Sequence, residues 1–195
     1  MGNREALLES AKRNLTERGY AHITARDLAG GAGTSLAAIG YHFGTTEALL
    51  NEALYELIGD WGDQLDRTLT ADLARAKTPL ARFEAYWKRV IESFQAERPL
   101  WVASIDIMAQ ANRMPELARR LAEGIDAGRL EWARVLYGID PEREPEKARQ
   151  IGSVYQALLS GLLVQWLVDP EAAPSAADLA SGMRAIAEQM TQPPT

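Results

Sequence analysis

The chain has 195 residues, of which 47% are hydrophobic and 25% charged, a composition typical of a globular protein with one or two domains. It contains no cysteine, which excludes disulfides, thiolate metal sites and cysteine nucleophiles. The net charge of −6 argues against a strongly basic surface, but residues 1–50 hold five basic and five acidic residues, so charge alone neither supports nor excludes DNA binding.

Helical signals dominate the sequence from its start, and we predict an all-α protein. A first helix over residues 4–18 carries its leucines on one face and ends at Gly19. Thr24 and Asp27 have the spacing of a capping-box pair at the start of a short second helix.

A glycine turn separates the second helix from a third. Gly33 supplies a position where positive φ costs little, and Ser35 is placed to cap a helix that runs to about Phe43. Thr45 is placed to cap a long fourth helix. That helix carries apolar residues every three or four positions, namely Leu50, Leu54, Leu57, Trp61, Leu65, Leu69 and Leu73.

Proline punctuates the rest of the chain, and it is favoured at the first position of a helix. We predict helices near residues 79–97, 99–112, 115–137, 145–168 and 175–191. The segment 151–167 is apolar on more than one face, and small residues along it allow close helix packing. We therefore predict a dimer interface on the last two helices, formed by Val154, Leu158, Leu162, Trp166, Leu179, Met183 and Ile186. The alternative is a central helix in a monomeric core.

Residues 24–43 have the size and punctuation of a helix-turn-helix, whose second helix enters the DNA major groove. Positions 34–42 carry no formal charge with histidine neutral, so acidic side chains do not face the phosphates. Small side chains there allow close approach, apolar ones can touch thymine methyl groups, and hydroxyls can bind phosphates. The predicted DNA contacts are Arg26, Thr34, Ser35, Leu36, Ala37, Ala38, Gly40, Tyr41, His42 and Thr46. The alternative is a plain buried helix of an α-bundle.

The stretch ITARDLAGGAGTSLAAIGYHFGTTEALL resembles the signature of the TetR family of bacterial transcription regulators, and the match covers about residues 4–58. The resemblance implies an all-α homodimer with an N-terminal three-helix helix-turn-helix domain. A long fourth helix would join this domain to a C-terminal helical domain for effector binding and dimerisation. The implied domain limits are 1–46 and 47–195. Double-stranded operator DNA and a small-molecule effector of unknown identity are the implied partners, with no cofactor.

Two positions depart from the family pattern. The family usually has a phosphate-contacting lysine where this chain has Thr46, and often a tyrosine at the position of Gly40. We predict a ligand-responsive transcription regulator, most simply a repressor that a small molecule releases from its operator. Because of Thr46 and the neutral first 50 residues, the alternative is a helical small-molecule-binding protein that has lost DNA binding.

All five tryptophans lie beyond the helix-turn-helix segment, and with nearby side chains they are candidates for the lining of an apolar ligand cavity. The candidate ligand-binding residues are Trp61, Phe83, Trp87, Phe94, Trp101, Ile105, Asp106, Met108, Trp132 and Tyr155. Packing of the aromatic residues in an ordinary core is the alternative. Asp106 stands among apolar neighbours, so it either faces solvent or orients a ligand, for example a cationic one.

Other functional classes lack their sequence signals. His22 and His42 are the only histidines, and neither has a second ligand at metal-binding spacing, so we predict no metal site. No nucleophile elbow or phosphate loop occurs, and we predict that the protein is not an enzyme. No continuous apolar run reaches about 18 residues and the N-terminus is charged, so we expect no membrane partner and a cytoplasmic location.

Overall fold

The structure, a computed structural model, describes residues 2–191, and these residues form α-helices and short 3₁₀ turns without a strand. The helices are α1 Asn3–Arg18, α2 Ala25–Gly31, α3 Leu36–Phe43, α4 Thr46–Arg75, α5 Pro79–Ala96, α6 Arg98–Gln110, α7 Pro115–Tyr137, α8 Pro145–Val168 and α9 Ala176–Thr191. The 3₁₀ turns span Tyr20–His22 and Ala111–Arg113. The predicted all-α class is confirmed, and each predicted helix is present to within a few residues.

The chain divides into two compact units, each built from separate stretches of sequence. The first unit contains Met1–Asp63 and Glu97–Leu121, and the second contains Gln64–Ala96 and Ala122–Thr195. The chain therefore passes between the units three times: within α4, between α5 and α6, and within α7. The division at residue 46 concerns function rather than packing, and it stays a prediction.

The core of the first unit joins the helix-turn-helix segment to two elements from much later in the chain. Ile39 of α3 is 3% exposed and belongs to the same apolar cluster as Leu100 and Ile107 of α6. Ala103 of α6 also belongs to it, and the remaining members come from α1, α2, α4 and the start of α7, including Leu7, Leu15, Leu28, Leu49, Leu54 and Leu117. The segment that carries α3 is thus not packed independently of α6.

A polar contact accompanies this core. The Tyr20 hydroxyl lies 3.0 Å from Asn51 Oδ1 of α4 and 3.4 Å from Gln110 Oε1 at the end of α6. Burial raises the pKa of Tyr20, so its hydroxyl stays protonated and can donate to these two amide oxygens. The contact ties the turn after α1 to α4 and α6.

In the second unit, α5 supplies buried aromatic side chains and packs against α9. The Arg82 guanidinium of α5 donates to the carbonyls of Val135 and Leu136, each at 3.1 Å. These carbonyls lie in the last turn of α7, where no later helical N–H is available to them. Arg82 therefore caps α7 from a neighbouring helix.

Helices α7 and α8 approach each other closely at Gly152. A Cβ atom on Gly152 would lie 2.0 Å from the carbonyl oxygen of Arg129 and 2.5 Å from its Cα. Because the obstruction is backbone, only a shift of α7 or α8 could make room for a larger residue. The small-residue packing predicted for α8 holds here, whereas Gly161 has no atom within 4 Å of the corresponding position.

By length and composition alone, α8 is apolar enough to cross a membrane, although the core helix of a soluble protein passes the same test. The sequence analysis missed this property because serines and glutamines interrupt the apolar run. Only 28% of the apolar window is buried within the described chain. The face left open carries apolar or small residues at helical spacing, namely Val154, Ala157, Gly161, Val164 and Val168.

Substitution of Gly152 should test the α7–α8 contact. We predict that Gly152→Ala lowers the free energy of unfolding by about 1–3 kcal/mol, because a methyl group there overpacks two backbones. The measurement is urea unfolding followed by circular dichroism at a fixed protein concentration.

Gly128→Ala is the matched control, since Gly128 also lies within a helix but has open space at the Cβ position. It should be neutral or stabilising by up to about 1 kcal/mol. Equal effects of the two substitutions would contradict the close approach.

Candidate nucleic-acid interface

The start of α2 is fixed by the predicted capping box. The Asp27 N–H donates to Thr24 Oγ1 at 3.3 Å, and the Thr24 N–H donates to Asp27 Oδ2 at 2.9 Å. The Thr24 hydroxyl and N–H, with a smaller contribution from Arg18, lower the pKa of Asp27. The carboxylate is therefore ionised at neutral pH and caps the positive end of the helix.

The turn between α2 and α3 depends on Gly33, which has φ +64° as the sequence predicts. Its N–H donates to the Gly30 carbonyl at 3.1 Å, and the next N–H, of Thr34, donates to the Ala29 carbonyl at 2.9 Å. A side chain at Gly33 would be strained in this left-handed conformation. These bonds use carbonyls left open at the end of α2 and set the direction in which α3 begins.

The predicted cap of α3 is only partly right. Ser35 occupies the N-cap position, but its side chain makes no capping hydrogen bond, and only its carbonyl accepts, from the Ala38 N–H at 3.0 Å. Thr34 Oγ1 is buried without a partner among the described residues. At α4 the cap is as predicted, since the Ala48 N–H donates to Thr45 Oγ1 at 3.0 Å.

The two sides of α3 differ sharply. Ile39 is buried, and Ala38 and Phe43 are partly buried against the same core. The opposite side is exposed and has no charged group: Tyr41 is 85% exposed and Leu36 is 50% exposed, and Ser35, Ala37 and Gly40 are exposed beside them. The alternative of a fully buried helix is therefore wrong for this segment.

The predicted DNA contacts lie in one continuous part of the first unit. Arg26 is exposed in the first turn of α2, and His42 and Thr46 are partly exposed at the end of α3 and the start of α4. Ala38 differs from the expectation of a groove-facing residue, because it packs partly against the core. Contact of each of these side chains with DNA stays a prediction.

Most cations near this surface already have an acidic or carbonyl partner. Lys12 lies 2.7 Å from Glu9 and 3.1 Å from Glu56, and the hydrogen bond with Glu9 is the main cause that raises its pKa. The remaining three of α1 are also paired: Arg4 with Glu52, Arg13 with the Gly31 carbonyl at 3.0 Å, and Arg18 with Asp27 at 3.2 Å. Within residues 2–191, Arg26 has no ion pair.

The ligand-binding candidates divide between the two units. Five belong to the first unit, namely Trp61, Trp101, Ile105, Asp106 and Met108. The rings of Trp61 and Trp101 meet edge to face with centroids 4.7 Å apart. Asp106 is partly exposed, so both interpretations of its role stay open.

The other five candidates, Phe83, Trp87, Phe94, Trp132 and Tyr155, belong to the second unit. Tyr155 packs against the rings of Phe83, Trp87 and Trp132 with centroid distances of 5.7–6.3 Å. Phe94 instead packs against Trp166 at 5.8 Å. A shared cavity for all ten candidates stays a prediction.

The candidate dimer residues have unequal access to a partner. Val154 and Ile186 are 49% and 54% exposed, and Leu158, Trp166, Leu179 and Met183 are partly buried. Leu162 is only 3% exposed, so the structure places it in the core of its own unit rather than on an open face. Val164 and Val168, which the prediction omitted, are more accessible, at 50% and 81%.

Sequence reasoning also missed side chains that the fold brings into contact. Tyr86 of α5 and Tyr137 of α7 join Tyr155 in the second unit, at 5.8 and 6.1 Å between centroids. Residue type was the only available signal, since tyrosine is common on both surfaces and cores. Their contact depends on helices that are far apart in sequence.

Both halves of the chain match family models of bacterial transcription regulators. Residues 7–53 match the family model described as bacterial regulatory proteins, tetR family. Residues 79–191 match the model described as BetI-type transcriptional repressor, C-terminal. The HTH-type transcriptional regulator BetI of Agrobacterium fabrum is 30% identical over 165 residues, covering 83% of this chain and 75% of that protein. BetI of Brucella canis is 24% identical and covers 98% and 93%.

Crystal structures share the fold over nearly the whole chain. The protein SCO7518 from Streptomyces coelicolor A3(2) has a TM-score of 0.64 at 25% identity, covering 97% of this chain and 99% of its own. The multidrug binding protein EbrR complexed with proflavin has a TM-score of 0.64 at 19% identity, covering 94% and 99%. At that identity EbrR supports the fold alone.

The pairing of the cations generates a prediction for salt dependence. Each phosphate neutralised by Lys or Arg adds about 0.9 to the slope of log K against log salt, so few available cations should give a shallow slope. We predict that Thr46→Lys steepens the slope by about one unit per subunit and strengthens binding to all sequences alike. The measurement is fluorescence anisotropy on operator and random duplexes at several salt concentrations.

Thr70→Lys is the control, because it adds the same charge to α4 further along the helix. It should leave the slope unchanged. If Thr46→Lys also leaves the slope unchanged, position 46 does not face a phosphate.

Proposed function

Because the chain belongs to the TetR family of bacterial regulatory proteins, we propose that it is a dimeric repressor that leaves its operator when a small molecule binds. The single observation that carries the DNA-binding part is the exposed, uncharged side of α3, held in place by Ile39. The exposed side of α3, from which Tyr41 and Leu36 project, has no evident role in folding.

Recognition of the operator follows from the chemistry of that surface. Small side chains at Ala37 and Gly40 let the backbone of α3 approach base edges, and Leu36 can contact thymine methyl groups. The hydroxyls of Ser35 and Tyr41 can bind phosphates or bases without a full charge. Arg26 is the available cation for phosphate contact. These are the contacts that we propose.

The dimer sets the spacing of the two recognition helices. Two helix-turn-helix units engage successive major grooves when they lie about 34–36 Å apart. A ligand that prefers a dimer with another separation lowers DNA affinity by its differential binding to the two states. Ligand binding then shifts the dimers toward the state that binds DNA less tightly, and repression is relieved.

Three covalent connections can pass such a change between the units. The chain crosses at residues 63–64 within α4, at 96–97 before α6 and at 121–122 within α7. Since α6 shares its core with α3, we propose that a displacement of α6 also displaces α3, the recognition helix. The Tyr20–Gln110 contact would move with it.

The open stripe of α8 is the surface that we propose for dimerisation, together with Ile186 and Met190 of α9. These side chains are 54% and 81% exposed. A lone protomer would leave this apolar area in water at a cost of about 25 cal/mol per Å². Ala157 and Gly161 on the stripe would allow close approach of two α8 helices.

A regulator of this kind acts where the chromosomal DNA lies, so the proposal includes a cytoplasmic location. The alternative, a carrier without DNA binding, makes an opposite prediction. It requires that a folded dimer give no specific shift of the DNA upstream of its own gene in a gel-shift experiment at low salt.

A charge on the open side of α3 should abolish operator recognition. We predict that Ala37→Asp weakens binding to that upstream DNA at least tenfold, because the carboxylate would face phosphates and base edges. Ala37 is exposed, so the helical circular dichroism signal should not change. The gel shift uses wild type and variant at the same dimer concentration.

Ala127→Asp, which adds the same charge at an exposed position of α7, is the control. Its operator affinity should equal that of wild type. Tight binding by Ala37→Asp would show that α3 does not enter the groove.

An arginine on the α8 stripe should disrupt assembly. We predict that Val164→Arg, at a position 50% exposed in the protomer, gives folded monomers, because a dimer would bury an unpaired charge. Light scattering coupled to size exclusion reports the mass. Ala127→Arg should keep the dimer mass, and a dimeric Val164→Arg would exclude this interface.

A further inference from the structure

Six aromatic side chains from three helices of the second unit form one cluster around Tyr155. The five rings that surround it have centroids 5.7–6.3 Å from the Tyr155 ring, and they belong to Phe83, Tyr86, Trp87, Trp132 and Tyr137. Trp87 lies nearly parallel to Tyr155, with an angle of 11° between the rings. The cluster consists of ring faces and edges that pack against one another, and Phe83, Tyr86, Trp87 and Tyr155 are buried.

The polar atoms of the cluster are satisfied with one exception. The Trp132 ring N–H donates to the Tyr86 hydroxyl, and the hydroxyls of Tyr137 and Tyr155 lie 2.9 Å apart. The Trp87 ring N–H has no acceptor within the described residues, although Trp87 is fully buried. Buried tryptophan N–H groups usually have a partner, so this donor requires an explanation.

The aromatic side chains around that donor are uncharged. Burial raises the pKa of Tyr86 and of Tyr155, so both hydroxyls stay neutral at physiological pH. None of the six side chains carries a cation that could balance a buried anion. An acceptor that reaches Trp87 should therefore be neutral, such as a carbonyl oxygen, rather than a carboxylate.

We propose that the Trp87 ring N–H is the polar anchor of an effector site in this cluster, which takes a flat, mainly apolar, uncharged molecule with one hydrogen-bond acceptor. This rests on the proposed function, because it names the chemistry of the effector. The ring faces bind the body of the molecule by stacking, and the N–H fixes its orientation.

Tyr137 lies at the proposed entrance of the effector site. It is the last residue of α7 and is 44% exposed, and Gly138 follows it with φ +65°. A single hydrogen bond, to Tyr155, holds its hydroxyl. Rotation of the Tyr137 side chain would uncover the part of the Tyr155 ring that it now contacts edge to face.

The experiment compares two probes that differ only in the acceptor. 1-Indanone and indane are flat bicyclic molecules of nearly the same shape, and only the ketone can accept a hydrogen bond. We expect the wild-type protein to bind 1-indanone about tenfold more tightly than indane by isothermal titration calorimetry. Trp87→Phe should bring the affinities for 1-indanone and indane to within about twofold of each other, because the substitution removes the donor and keeps a ring.

Trp132→Phe is the matched control. It removes a ring N–H that already has a partner, so the preference for the ketone should persist. A direct measurement on the wild type covers the case in which Trp87→Phe does not fold. Among the five indole N–H signals in a ¹⁵N NMR spectrum, one that Trp132→Phe retains should move downfield with 1-indanone and not with indane.

Equal wild-type affinities for the two probes, or unmoved indole signals, would overturn the proposal and leave Trp87 as closed core packing against the Tyr86 ring, 5.4 Å away. A preference lost in Trp132→Phe but kept in Trp87→Phe would also overturn it. The gel shift with operator DNA is scored separately. Its failure would remove the proposed function, whereas a normal shift without ketone preference removes only this inference.

Discussion

The burial of Ile39 against the leucines of the first unit is the constraint on which the proposed DNA-facing surface depends. A helix of eight residues has little stability of its own, so its orientation comes from the one face that it buries. With Ile39 inside, Ala37 and Tyr41, two positions to either side of it, lie on the opposite face and point outward. The positive φ of Gly33 sets the direction in which α3 enters this core.

The same core contains α6, so the helix-turn-helix does not build its core from α1 to α4 alone. Leu100, Ala103 and Ile107 are buried in one cluster with the leucines of α1, α2 and α4. Small domains bury a limited fraction of their surface, so the added apolar contacts of α6 contribute to the stability of this unit. Helix α6 lies between α5 and α7 in the chain. It therefore both contributes to the core of the first unit and connects that unit covalently to the second.

The second unit has a different kind of core. Aromatic rings from α5, α7 and α8 meet at Tyr155, and α8 is brought close to α7 because position 152 has no side chain. Large flat rings pack with specific relative angles, which leaves hydrogen-bonding groups such as the Trp87 N–H in fixed positions. The outer face of α8 stays apolar and uncovered in the protomer. These two features are the ones on which the proposed effector site and the proposed dimer interface rest.

The sequence by itself determined the helices, the caps of α2 and α4 and the turn at Gly33, because periodicity, capping pairs and glycine conformations act within a few residues of one another. It also showed that positions 34–42 carry no formal charge, but it left open whether this helix is buried, and the exposure of Tyr41 and Leu36 in the structure decided that question. Only the tertiary structure decided that α6 packs with α3, that the aromatic candidates divide between two units, and that Leu162 is internal. Those outcomes depend on contacts such as Tyr20 with Gln110, 90 positions apart, for which no local pattern in the chain encodes the partner.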